Sequence, residues 1–392
     1  MRNAFPPRLA ICFVFILLVS CDSGSKHPPL RSRERIIHNQ KLEQPFSKAL
    51  ADVDGDGYVD ALVGDYKNKI YWYKYPKWEQ RAISEVNGGD DFALVDINKD
   101  GAIDVVSCGV DIAWYENPSK SGGEDALLDT TNRWKQHLIK SGGHSHDLFS
   151  GDIDGDGWDD VGIRVENAAT VIFLQKSPDT WTEVVVGTGD EGVGSTLADM
   201  NGDGKLDVVE GGYWYQQPEN PTASPWPKVT FTPWVGPCAV EVADFNKDGH
   251  PDVVLAPAYS TYRFSWFENP GSATSEAWNE HVIAGNISHV HRFHLIDVDD
   301  DGDLDVAFAE QHQSTRHRVG AFMNKDGMGN EWTMDLYSEG GAHNIAVGDV
   351  GNDGTWDMLA VNWAGDTRIR ILYNLGKDPK DTPLSPNPVT TP

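Results

Sequence analysis

The sequence predicts an all-β fold of seven similar four-stranded units, and three observations carry that expectation. One acidic nonapeptide recurs seven times at spacings of 44 to 56 residues, and self-similarity at such a period marks a ring or array built from one supersecondary unit. Each copy is flanked by short apolar runs of strand length, without helical periodicity. Glycine (39) and proline (22) are frequent among the 392 residues, as many short strands joined by tight turns require.

The N-terminal residues stand outside this pattern. Arg2 and Arg8 flank the start of an apolar run, Leu9 to Val19, that is too short to span a bilayer comfortably. It ends in Leu18-Val19-Ser20-Cys21, which resembles a bacterial lipobox. Residues 1–20 are therefore expected to be a lipoprotein signal peptide, with Cys21 lipidated and residues 21–34 a polar tether. That implies a bacterial cell-envelope protein, periplasmic or at the cell surface, held to the membrane by a lipid anchor. Residues 35–376 hold the repeats, and 377–392 form a Pro-rich tail. Cys12 falls in the signal, so only Cys108 and Cys238 remain, too few for a disulfide framework.

The repeated loop has the form D-x-[DN]-x-D-G-x-x-D. Oxygen side chains at positions one, three, five and nine can converge on one hard cation, and the glycine at six permits the sharp turn. The first two loops offer Asp52, Asp54, Asp56 and Asp60, then Asp96, Asn98, Asp100 and Asp104. The third and fourth offer Asp152, Asp154, Asp156 and Asp160, then Asp199, Asn201, Asp203 and Asp207. The fifth and sixth offer Asp244, Asn246, Asp248 and Asp252, then Asp297, Asp299, Asp301 and Asp305. The seventh offers Asp349, Asp353 and Asp357, with Gly351 at position three. All-oxygen ligands in a flexible loop favour Ca2+, as up to seven structural ions. An EF-hand would need an acidic ligand at position twelve, but that place holds Val63, Ser107, Ile163, Leu255, Phe308 and Ala360. Glu210 alone would qualify.

Around each loop the chain reads as β. An apolar run precedes it (FALV, VEVA, IAVG) and another follows (ALVG, VVSC, VVLAP). Next comes an aromatic strand ending in a turn, as in WYENP at Trp114, WYQQP at Trp214 and WFENP at Trp266. A fourth strand is marked by Trp134, Trp278 or Trp332. Four strands per repeat of this length make a propeller blade, which gives a seven-bladed β-propeller. On these motifs, over about residues 33 to 376, the sequence resembles the FG-GAP/VCBS repeat propellers of integrin α heads and many exported bacterial proteins. Seven-bladed propellers of this kind include polysaccharide lyases and glycosidases, so the resemblance implies a carbohydrate ligand. The seventh repeat ends after its third strand, so Arg35 to His38 are expected to supply its outer strand and close the ring.

The acidic loops join first to second strands and therefore share one face. Function is sought on the other. Six residues before each loop stand Phe46, Asp90, His146, Val193, Cys238, His291 and His343, and eight before stand His144 and His289 in two repeats. Links from second to third strands add Arg164, Glu166, Glu210, Tyr213, Tyr259, Tyr262, Arg263, Glu310, His312, Asn362 and Trp363. Histidine titrates near neutrality, so His146 and His291 are read as base and acid of a uronate lyase, with Tyr213 or Tyr262 assisting. Arg164, Arg263 or Arg292 would hold the substrate carboxylate. Glycoside hydrolysis by Glu166, Glu210 or Glu310 is a related reading. A transition metal held by His144, His146, His289, His291 and His343 is a third, and a non-catalytic glycan- or protein-binding scaffold a fourth. His137 and His281, in the W-x-x-H pattern, and His294 are read as packing residues.

Composition narrows the partners. The formal charge is −28, from 60 acidic and 32 basic side chains, a field that repels nucleic acid. The loop ligand positions hold 24 of those acids, so much of the acidity is matched by bound cations if the loops fill. No phosphate loop, nucleophile elbow or dinucleotide fingerprint occurs. A monomer acting on an oligo- or polysaccharide is expected.

Overall fold

The computed structural model describes residues 32–65, 69–84, 89–129, 133–142, 145–165, 169–188, 194–234, 236–271 and 277–376. The expected signal peptide, Cys21, most of the tether and the tail at 377–392 lie outside them, as do His144, Glu166 and Val193. The described chain forms seven four-stranded antiparallel sheets, six of them built from four strands consecutive in sequence. The innermost strands are Pro45–Ala51, Asp91–Val95, Ser145–Gly151, Ser195–Ala198, Cys238–Ala243, Phe293–Ile296 and Asn344–Gly348. Each lies against the next, and Asn344–Gly348 lies against Pro45–Ala51, so the sheets form a closed ring. The protein is a seven-bladed β-propeller.

Burial follows the strand order. Second strands such as Asp60–Asp65 and Asp252–Pro257 are buried at every position, which is why their sequences are continuous apolar runs rather than alternating ones. Third strands carry Trp72, Trp114, Trp214 and Trp266, none more than 1% exposed. Burying an indole removes a large apolar area from water, so these residues dominate the contacts between sheets. Outer strands such as Lys135–Ser141 are largely exposed.

The seventh sheet takes its outer strand from the other end of the chain. Ser32–His38 runs antiparallel to Ile369–Asn374, with Ser32 opposite Asn374 and Arg35 opposite Ile371, an arrangement that fits closure by the N-terminal strand. The strand begins at Ser32, so residues 32–34 of the expected tether belong to the sheet. Ile37 and Leu42 pack there against Val361, Ile369 and Ile371. The widest loop spacing, in blades 2 to 3, has its cause in a helical insertion, Ser119–Leu128, interrupted at Gly123. Cys108 and Cys238 are both buried free thiols.

Candidate functional site

The two faces of the disc are built differently. On the loop face one local device recurs. The first carboxylate of each loop accepts backbone N–H groups from its own turn: Asp199 takes Asp203 N at 3.0 Å and Gly204 N at 2.8 Å. Gly204 has φ 84°, a left-handed conformation that only glycine adopts cheaply. The position-nine carboxylate does more than the spacing indicated. Asp207 accepts Met200 N–H at 3.0 Å and, through its other oxygen, Gln217 N–H at 2.8 Å. It therefore fastens the loop to the end of the third strand, as do Asp104, Asp160, Asp252, Asp305 and Asp357 in their blades. Position twelve falls inside the buried second strands in every blade, and its one acidic residue, Glu210, is engaged by Arg164.

These loops fit a cation. Three of them bring carboxylate oxygens within 4.8 Å of one another: Asp52, Asp54 and Asp56; Asp152, Asp154 and Asp160; and Asp297, Asp299 and Asp305. Asp152 Oδ1 and Asp154 Oδ1 are buried without a hydrogen-bond partner, which is costly unless a positive charge meets them. Burial and neighbouring loop carboxylates push Asp160 and Asp305 up to about 7, against backbone donors that pull them down.

On the loop-free face the inner positions differ from blade to blade among the described residues. His146 sits at a register shift between Ser145 and Asp147, and such a bulge re-aims a side chain. Its Nδ1 lies 3.2 Å from Asp147 Oδ2, and its Nε2 lies 3.3 Å from the Tyr259 hydroxyl. The edge of Tyr259 meets His291 with ring centres 4.5 Å apart. His291 lies 6.2 Å from His146 and 4.6 Å from His343. His343 in turn contacts Phe46 at 5.0 Å, and Trp363 lies 5.6 Å from Phe46. Three of the predicted histidines thus meet in one wall of rings. Both ring nitrogens of His291 and Nδ1 of His343 are buried without a partner. His291 also borders a cavity of about 290 Å³, lined with it by Asp147, Gly194, Glu241, Arg292 and His294.

Electrostatics splits the cluster. Burial opposes a charge on His146, but Asp147, with Asp90 and Asp91 behind it, outweighs burial and raises His146 to about 9. Burial lowers His291 to about 3, reinforced by the charge of His146. His343 is pushed down by burial, then by His291 and Lys48. A cationic imidazole therefore stands beside two neutral ones at neutral pH, and neighbouring titratable groups driven apart in this way can divide acid and base roles.

Other sequence-predicted site residues have different places. His289 has φ 55° and bonds Ser288 Oγ at 2.5 Å. The left-handed backbone breaks the strand alternation that would have put it beside His291. All three predicted carboxylate clamps already hold carboxylates of the protein. Arg164 is bound to Glu210, Arg263 to Glu280, and Arg292 to Asp91 at 2.6 Å. Tyr213 donates to Glu210 at 3.0 Å beneath the Lys228 ammonium. Tyr262 packs against Trp234 and bonds Arg263. The tyrosine at the histidines is Tyr259. Glu310, fully buried, binds Arg318 at 2.6 Å. His137 and His281 stack on Trp114 and Trp266, and His294 bonds Glu241 and the Ile345 carbonyl. No histidine belongs to a ready three-ligand metal cluster among the described residues. Asp147 carried a signal that went unused: it directly follows the His-x-His pair.

This architecture defines a class of repeat propeller with acidic turns on one face. A family model for the FG-GAP-like repeat matches residues 52–107, 152–209, 244–308 and 297–360. The chain belongs to the FG-GAP-like repeat family. Among solved structures it is similar to BBS1N in complex with ARL6DN, soaked with mercury. The identity is 9% and the TM-score 0.57, covering 90% of this chain and 98% of that one. It is also similar to the V. cholerae biofilm matrix protein Bap1, at 12% identity and a TM-score of 0.45, covering 86% of this chain and 88% of that one. At 9% identity the likeness to BBS1N extends to the fold alone. No curated protein sequence matches the chain.

Proposed function

We propose that the loop-free face binds an acidic carbohydrate at the wall formed by Phe46, Trp363, His343, His291, Tyr259 and His146. The observation that carries this reading is the buried His291 ring, whose two nitrogens have no protein partner, beside the cationic His146. Flat rings stack on sugar faces, and an imidazolium attracts a uronate carboxylate more strongly in a partly desolvated site than in water. Arg164, Arg263 and Arg292 are engaged by carboxylates on their donor forks; His146 is paired with Asp147 through Nδ1, and its Nε2 side beside Tyr259 is where a uronate would meet the charge.

A second reading, β-elimination, is favoured by the split between the two histidines. His291 would take the C5 proton of a uronate, the C–H electron pair would form the C4–C5 double bond, and the leaving O4 would take a proton from Tyr259 or His146. Burial, with the charges of His146, Lys48 and His289 outweighing Asp147, keeps His291 a weak base, and a bound carboxylate would raise it. The test uses a panel of uronate polysaccharides, with binding by calorimetry and unsaturated product by absorbance. Binding that weakens at least tenfold in Tyr259→Phe supports the site, and new absorbance establishes the lyase reading. Unchanged binding in that variant, or no binding by the wild type, overturns the proposal.

We infer also that the acidic loops hold Ca2+ as structural ions. The orphaned carboxylate oxygens and the all-oxygen donor set support this. With Cys21 lipidated, the propeller would act as a monomer at a bacterial cell envelope.

A further inference from the structure

The seven acidic loops differ electrostatically at position three. Blades 1, 3 and 6 carry Asp54, Asp154 and Asp299; blades 2, 4 and 5 carry Asn98, Asn201 and Asn246; blade 7 carries Gly351. In the asparagine loops the carboxamide donates to Oδ2 of the position-five aspartate. Asn98 reaches Asp100 at 3.2 Å, Asn201 reaches Asp203 at 3.3 Å, and Asn246 reaches Asp248 at 2.9 Å.

In blades 1 and 3 a lysine from the third strand makes the same contact. Lys74 Nζ lies 2.7 Å from Asp56 Oδ2 and also bonds Asp54. Lys176 Nζ lies 2.6 Å from Asp156 Oδ2 and also bonds Asp154. The two lysines flank equivalent places, since Lys74 precedes and Lys176 follows the residue whose N–H caps the position-nine carboxylate, Tyr75 and Gln175 respectively. In the asparagine loops those two places hold Glu116 and Pro118, Gln216 and Pro218, and Glu268 and Pro270. Blade 6 follows the rule more loosely, with Lys325 at 3.8 Å from Asp299.

We propose that Lys74 and Lys176 are internal counter-ions that trim two of the three four-carboxylate loops to the charge carried by the ligands of the asparagine loops. An Asp–Lys pair then takes the place of an asparagine that has no third-strand cation beside it, since those places hold Glu116, Gln216 or Glu268 and a proline. The lysines hold outer Oδ2 atoms. In blade 3, Asp152 Oδ1 and Asp154 Oδ1 are left buried and unpartnered. The ammonium therefore complements an ion in the loop rather than replacing it. Removing it leaves four carboxylates facing one another, which weakens the ion-free fold and strengthens the pull on a divalent cation. This inference rests on the Ca2+ reading above.

The test is a chelator-competition titration of Ca2+ on the full chain, with melting temperatures measured with and without Ca2+. Lys74→Met should tighten one Ca2+ site by about fivefold or more, allowing for solvent screening, and should lower the melting temperature only when Ca2+ is absent. Asp54→Asn combined with Lys74→Met should restore both quantities to wild-type values, even where Lys74→Met alone does not fold. Wild-type affinity and ion-free melting in Lys74→Met would overturn the counter-ion role while leaving Ca2+ binding intact, as would a double variant no better than the single. A wild-type protein that binds no Ca2+ at millimolar concentration would overturn the Ca2+ reading and this inference together.

Discussion

The two faces of the disc solve different problems with different logic. On the loop face all seven turns share one hydrogen bond, from the position-six N–H to the first carboxylate, so each site is built locally. The loop-free face instead draws His146, Tyr259, His291, His343 and Phe46 from five different blades. Repetition there would erase the difference, because seven identical groups around one axis could not set a cationic imidazole beside neutral ones. A repeat protein can thus keep its scaffold periodic and confine individuality to the inner strand ends of one face.

That contrast can be broken most forcefully at the ions. Stripping Ca2+ with a strong chelator should lower the melting temperature by about ten degrees or more, since each site saturated a thousandfold contributes about 4 kcal/mol. Calorimetry in EDTA and in excess Ca2+ checks this, and identical melting would remove the metal from the loop face altogether.

The next effect belongs to the other face and appears with pH. His146, raised to about 9 and facing Asp147, Asp90, Asp91, His291 and Tyr259, contributes stability that is complete below about 6.5 and is lost as pH rises through 9. His291, lowered to about 3, acts oppositely, because the unfolded chain gains its proton first as pH falls below about 6.5. The two contributions together should therefore peak near pH 6.5 in Ca2+-saturated protein and fall towards both 9 and 3. Histidine titration by NMR should show His146 still protonated at pH 8, and a His146 midpoint near 6.5 would refute the split.

The smallest effect sharpens the claim that the loops are local. Gly204→Ala meets no atom within 4 Å but must hold φ 84°, so backbone strain alone should cost about 1–2 kcal/mol. Urea unfolding measures it, and Ca2+ binding at the other six loops should be unchanged.

The scaffold was legible because its signals are local and repeated. Asp, Gly and apolar residues at set offsets encode each turn and strand, and a misreading in one repeat is corrected by the other six. Individual partners on the loop-free face were harder to read. Arg164 resembled a substrate clamp until Glu210, 46 residues away, was seen to hold it. His289 looked paired with His291 by strand parity, and a single left-handed residue undid the parity. Tyr259 stood among several mouth aromatics, and only the ring distances set it apart from Tyr213 and Tyr262.

Sequence alone determined the blade count, the face carrying the acidic turns and the candidate cation ligands, because all three follow from short-range spacing. Tertiary structure decided which charges are spent inside the protein and which histidines meet. Those outcomes depend on ring closure, which brings blades 3, 5, 6, 7 and 1 around one axis, and no spacing along the chain records a distance across a ring.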